Sequence, residues 1–183
     1  DTAIRIGRAD GEEIEVRPDI VMFALGGASW PKVGSDAAWV DPFIADGIAV
    51  SELRPSNCGV VVARTDVFRS RFAGQPIKNA RWSVAVGDVD ESSRAECVVT
   101  ESGLEGGAIY AFSAVVRDAL ALDRSDARLT VDLQPDLSHE LLVARLDRRR
   151  PKESWSSVLA RDVGLSPVAI GLMREATGNR LPD

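Results

Sequence analysis

The chain opens on alternation. Ala3-Ile4-Arg5-Ile6 and Glu13-Ile14-Glu15-Val16 alternate apolar and polar residues on either side of Asp10-Gly11. An Asp-Gly pair adopts the positive φ angles that a tight turn needs, so the pattern predicts a β-hairpin. The pattern then changes: Ile20-Val21-Met22-Phe23-Ala24-Leu25 is apolar without interruption. A strand covered on both faces reads this way, as in a parallel sheet. The run is short for a buried helix and stops at Gly26-Gly27.

Beyond the glycines, Ser35-Asp36 predicts the cap of a short helix through Trp39. Asp41-Pro42 offers a second cap followed by a first-turn proline, with Gly47 as the stop. Val50 to Asn57 reads as a connection and Gly59 to Ala63 as a strand. Trp82, Val84 and Val86 alternate, as do Ala95, Cys97 and Val99. With the polar stretch from Gly87 to Ser93 as their link, they predict an antiparallel pair.

A helix is expected from just after Gly106-Gly107 to about Leu122, burying Ile109, Phe112, Val116 and Leu120 on one face. Leu129, Val131 and Leu133 alternate as one more strand. Three helical segments follow, opened by Ser138, Ser154 and Ser166-Pro167, with Gly164 and Gly178 as stops. The pattern as a whole predicts a mixed β region followed by a small helical cluster.

Composition narrows the function classes. The 183 residues are 45% hydrophobic and 27% charged, enough to bury a core. A formal charge of -6 argues against broad binding to a phosphate backbone, which needs a basic face. Cys58 and Cys97 are too few for a disulfide framework and read as reduced thiols, which points to the cytoplasm. No apolar stretch approaches the roughly 18 residues of a membrane span, and no secretory leader is evident. The absence of an initial Met and the ending at Asn179-Arg180-Leu181-Pro182-Asp183 read as a piece of a longer protein.

The richest local chemistry lies in Ala24-Leu25-Gly26-Gly27-Ala28-Ser29-Trp30-Pro31-Lys32-Val33-Gly34-Ser35-Asp36. An apolar strand ending in two glycines lets a flat ligand or another backbone approach without a Cβ in the way. In open α/β sheets, ligands gather at the carboxyl ends of strands. A tight turn with a packed tryptophan is the plainer alternative. His139 is the only histidine and opens a helix, where a surface or capping role fits better than a catalytic one. One histidine and two separated cysteines make no zinc set, so no metal is expected. Arg145, Arg148, Arg149, Arg150 and Lys152 form a basic cluster that reads as a solvated edge or as a contact to nucleic acid.

The 24–36 run resembles the Ala-[Leu/Thr]-Gly-Gly-x-Ser-[Trp/Tyr]-Pro-x-x-Gly-Ser signature of the BaiN/YhiN-like bacterial NAD(P)/FAD-dependent oxidoreductases. Three further stretches match in order. They are Arg54-Pro55-Ser56-Asn57-Cys58-Gly59, Phe72-Ala73-Gly74-Gln75-Pro76-Ile77-Lys78, and Val98 to Tyr110 with Gly103-Leu104-Glu105-Gly106-Gly107 at its centre. Gly164-Leu165-Ser166 and Leu172-Met173-Arg174-Glu175 are similar to the family's helical segment. Many relatives read Gly-[Leu/Ile]-Ser-Gly-Pro where this chain has Glu105 and Gly107, which leaves the substrate open.

The resemblance implies an α+β fold: a β-rich, partly barrel-like insert plus a small helical bundle, attached to a remnant of an α/β FAD-binding domain. It assigns 1–36 to that remnant, 37–136 to the β-rich insert and 137–183 to the helical subdomain. Gly26, Gly27, Ala28, Ser29, Trp30, Pro31 and Gly34 would line the FAD site. Asn57, Gly103, Leu104, Glu105 and Gly106 are the candidate substrate residues, since exposed amides at the helix start after Gly103–Gly107 suit an anionic or polar group; an ordinary helix cap at a strand–helix junction is the equal alternative. FAD is the implied cofactor of the intact protein and NAD(P)H its reductant. The implied partners are the rest of the FAD domain and an unidentified electron acceptor. No Gly-x-Gly-x-x-Gly strand–helix unit is present to hold a pyrophosphate, so the chain is not expected to hold flavin or turn over alone. No general acid or base is assigned; Tyr110 and Glu105 are the nearest by chemistry. The rival reading is a binding module whose helical tail docks nucleic acid, such as an RNA substrate, or a protein.

Overall fold

The computed structural model describes residues 3–123 and 127–178. They form two compact units, Asp1–Arg54 and Pro55–Asp183, in an α+β arrangement of short antiparallel sheets and helices. No helix among the described residues is long and apolar enough to cross a membrane.

In the first unit, β1 (Ile4–Gly7) and β2 (Glu13–Val16) form the expected hairpin, with Ile4 opposite Val16 and Ile6 opposite Ile14. Its loop is wider than a two-residue turn. The Gly11 N–H donates to the Arg8 carbonyl at 3.0 Å, the Arg8 N–H donates to the Glu12 carbonyl at 2.8 Å, and Gly11 takes φ 85°.

The Ile20–Leu25 run corrects the sequence reading, because it forms no strand. Its side chains face solvent, with Ile20 at 84%, Met22 at 87% and Phe23 at 64% exposure. A strand buried on both faces needs neighbours to take its N–H and C=O groups, and no described strand pairs with this run. The expected Ser35–Trp39 helix is also absent. The Asp36 carboxylate accepts from the Ala38 N–H at 3.1 Å, and Ala37 turns left-handed at φ 59°. The helix α1 (Val40–Ala45) carries Asp41 and Pro42 in its first turn, and Gly47 follows its end at φ 77°.

The second unit runs β3 (Val60–Val61), α2 (Asp66–Phe72), β4 (Pro76–Ile77), β5 (Arg81–Val86), β6 (Val89–Ser93), β7 (Cys97–Val99), β8 (Gly103–Glu105), α3 (Gly107–Tyr110), α4 (Ser113–Ala121) and β9 (Arg128–Asp132). The strands form two open antiparallel sheets, ordered β3-β8-β7-β4 and β6-β5-β9. No sheet among the described residues closes on itself, so the expected barrel character is not realised as a closed barrel.

The expected pairing of β5 with β7 is replaced. β5 turns through Gly87-Asp88 into β6, with Val86 opposite Val89, while β7 belongs to the other sheet. β6 is a polar edge strand, and hydrophobic alternation carries no signal for a strand that buries almost nothing. The expected long helix is broken at Ala111-Phe112 into α3 and α4. Its buried face holds Ile109, Phe112, Ser113 and Ala119, whereas Leu120 is 69% exposed.

The tail follows the sequence reading closely. Ser138, Ser154 and Ser166 each cap the helix they open: α5 (His139–Leu146), α6 (Trp155–Val158) and α7 (Pro167–Ala176). A π turn over Leu159–Val163 extends α6 and stops at Gly164, φ 79°. Two clusters of buried side chains hold this unit. One gathers Trp82, Val84, Cys97, Val99, Ile109 and Phe112 with Phe68 and Phe72 of α2; the other centres on Leu159, Val163, Leu165 and Ile170.

Candidate functional site

In the first unit, the 26–37 loop is held by its own backbone. Trp30 and Ser35 exchange N–H to carbonyl bonds at 3.1 and 3.2 Å, enclosing a 3₁₀ turn over Pro31–Val33 that Gly34 ends at φ 87°. The Ala37 N–H donates to the Gly27 carbonyl at 3.0 Å, and the Trp39 indole N–H donates to the Gly26 carbonyl at 3.1 Å. Gly26 sits at φ 75°, where an L side chain is strained. A Cβ on Gly27 would meet nothing within 4 Å. Ala28, Ser29, Trp30 and Pro31 are exposed, Trp30 at 63%. The loop therefore presents a flat aromatic face beside an open glycine. The rings of Phe23 and Trp39 meet Phe43 edge-on, each at 5.3 Å between centroids.

In the second unit, two matching stretches lie side by side. A Cβ on Gly59 would stand 3.0 Å from the Leu104 carbonyl oxygen and 3.4 Å from the Glu105 Cβ. The buried Ser113 hydroxyl fastens the 54–59 stretch from α4. It accepts from the Cys58 N–H at 3.0 Å and donates to the Cys58 carbonyl at 3.1 Å. Arg117 adds a bond from its guanidinium to the Pro55 carbonyl at 2.7 Å.

The expected substrate residues divide within this arrangement. Asn57 and Glu105 are exposed and Gly106 is half-buried, but Gly103 and Leu104 are buried. A Cβ on Gly103 would fall 1.9 Å from the Val60 carbonyl oxygen, so glycine here lets β8 reach β3. Gly106 takes φ 103° with the Glu96 carbonyl oxygen 2.9 Å from where a Cβ would stand. The amides at the start of α3 are engaged as well. Ala108 donates to Glu96, and Ile109 and Tyr110 donate to Gly106. Tyr110 is half-buried.

Two of the five residues of the basic cluster are tied up within their own unit. Arg145 donates to the Asp162 carbonyl, and Arg149 lies 4.6 Å from the Trp155 ring centroid while donating to the Glu153 carbonyl. Arg161 bonds to both Asp162 and Glu153, holding both carboxyls below their ordinary range. Arg148, Arg150 and Lys152 remain exposed.

His139 is exposed at the first position of α5. No group of three His, Cys, Asp or Glu among the described residues could hold a metal ion. Both cysteines are free; burial pushes the Cys97 thiol up to about 12, which makes it inert at neutral pH.

One concave feature escaped the sequence reading. A groove of about 860 Å³ runs between α2, α6 with its π turn, and α7, over Phe68, Phe72, Ile170 and Gly171. Thr65-Asp66 followed by Phe68 and Phe72 at four-residue spacing was the available signal for α2. The Thr65 hydroxyl caps α2 by accepting from the Phe68 N–H. Glu175 of α7 binds the Thr65 N–H at 2.8 Å and its hydroxyl at 2.7 Å.

The model of the HI0933-like protein barrel and H2TH domain covers residues 54–179, which spans nearly all of the second unit. No curated protein matches the chain.

Proposed function

Because the chain belongs to the HI0933-like family, which is related to the BaiN/YhiN flavoprotein oxidoreductases, we propose that it is part of an FAD-dependent oxidoreductase. In this reading, Pro55–Asp183 is the insert that covers the flavin or shapes the substrate site. The observation that carries the proposal lies in the first unit. An apolar run with no strand partner among the described residues leads straight into a glycine loop with an exposed tryptophan.

Ile20–Leu25 would become a covered strand within a sheet completed by the rest of the FAD domain, its partner. Gly26–Pro31 and Gly34 would then stand at that strand's carboxyl end, where ligands gather in such sheets. The residues fit one edge of a flavin site. The Trp30 face can pack on a flat ring and keep water off it, and Gly27 leaves room for close approach. They do not supply a pyrophosphate cradle, so this chain is not expected to hold FAD alone. When bound, FAD supplies the redox chemistry between a nicotinamide reductant and an acceptor. Asn57 and Glu105 are the exposed polar groups that would meet the substrate in a cytoplasmic enzyme.

The test is the visible spectrum of the intact protein beside that of this chain. Flavin bands near about 370 and 450 nm in the intact protein alone are expected. Their absence from both samples after FAD is added would remove the proposal's basis. A second reading, docking of nucleic acid by the tail, is favoured by the exposed Arg148, Arg150 and Lys152 between α5 and α6. It requires RNA binding by this chain that Arg148→Glu with Arg150→Glu abolishes.

A further inference from the structure

The α2–α6–α7 groove contains none of the residues assigned to flavin or substrate, and its chemistry is of another kind. Its floor is apolar. Phe68, Phe72 and Ile170 are each less than a tenth exposed, and Gly171 lets α7 sit directly on the two rings. A Cβ on Gly171 would fall 2.5 Å from Phe72 Cε2 and 3.1 Å from Phe68 Cε2. The volume of about 860 Å³ lies in the ~300–1,000 Å³ range of small-molecule sites.

The rim is cationic. Arg71 lies over the Phe72 ring, 5.3 Å from its centroid, and makes no ion pair among the described residues. Arg174 is oriented by its bond to the Ser156 hydroxyl at 2.6 Å. The carboxylate lining the groove, Glu175, is committed to the Thr65 N–H and hydroxyl, which turns its acceptors away from a ligand. An apolar trough with guanidinium groups at its mouth is complementary to a molecule with an apolar body and one anionic end.

We infer that this groove binds an amphipathic carboxylate, its alkyl or aryl body against Phe68, Phe72 and Ile170 and its anionic group at Arg71 and Arg174. The inference goes beyond the flavin reading and does not depend on it.

Titration calorimetry of the full chain with dodecanoate, kept below its aggregation concentration, and with dodecanol tests it. Saturable one-to-one binding is expected, tighter for the carboxylate than for the alcohol. Ala160→Trp, which places a large ring in the groove, should abolish binding of both while leaving the circular dichroism spectrum unchanged. Arg71→Gln should weaken dodecanoate by about three- to fivefold, the scale of one exposed charge pair, and leave dodecanol unchanged. Since Arg71 is exposed, that variant keeps the test decisive if Ala160→Trp fails to fold. Absence of saturable dodecanoate binding, equal affinity for the two ligands, or indifference to Arg71→Gln would overturn the inference.

Discussion

The two units spend their apolar residues in opposite ways. Every buried residue among those described lies in Pro55–Asp183, and none lies in Asp1–Arg54. The second unit closes its own cores around Trp82, Ile109 and Phe112 and around Leu159 and Val163. The first unit carries a run just as apolar, Ile20–Leu25, and leaves it in solvent. An apolar pattern reports what would gain from burial; whether burial occurs depends on partners that hydrogen-bond the backbone and cover the faces. The contrast supports assigning the first unit to a sheet that other segments complete.

Truncating the two units' aromatics should separate them most sharply. Phe112→Ala removes a fully buried ring and should cost about 3–5 kcal/mol in denaturant unfolding. Phe23→Ala, at a ring 64% exposed, should cost less than about 1 kcal/mol. Equal losses would break the comparison.

Glycines give a second contrast. Gly103→Ala forces a methyl into the Val60 carbonyl and should destabilise by about 3 kcal/mol, the upper end for overpacking. Gly27→Ala has open space around it and a φ outside the left-handed region, so its effect on unfolding should stay within about 0.5 kcal/mol. Ser113→Ala leaves the Cys58 N–H and carbonyl without their hydroxyl partner. It should cost about 1–3 kcal/mol and speed amide exchange at Cys58.

The smallest effect is on pH dependence. Arg161 lowers the folded pKa of Glu153 and Asp162. Their stabilising contribution is therefore complete above the ordinary carboxylate range and is lost as pH falls through the lowered folded values. Both carboxylates are half-buried against the exposed Arg161, so the effect is modest and partly screened by salt. Melting temperature followed from neutral to strongly acidic pH should fall less steeply in Arg161→Gln than in the wild type.

Much of the second unit was legible because its signals are local. Ser138, Ser154 and Ser166 cap the helices they were expected to open, and Gly164 ends the π turn. What was missed depends on distant partners. β6 is a polar edge strand defined by its pairing with β5, and β7 found β8 and β4 rather than β5. α2 carried a readable cap at Thr65, but the groove it forms with α7 exists only once residues more than a hundred positions apart meet. For the candidate site, the Gly26–Gly34 loop was visible as glycines around a tryptophan. That Gly103 serves strand pairing required the distance to Val60.

The most direct test is amide hydrogen exchange over Ile20–Gly27, in this chain and in the proposed intact flavoprotein with FAD added. Fast exchange is expected in this chain and strong protection in the intact protein, where the run would be a covered strand. Equally fast exchange in both would contradict the covered strand.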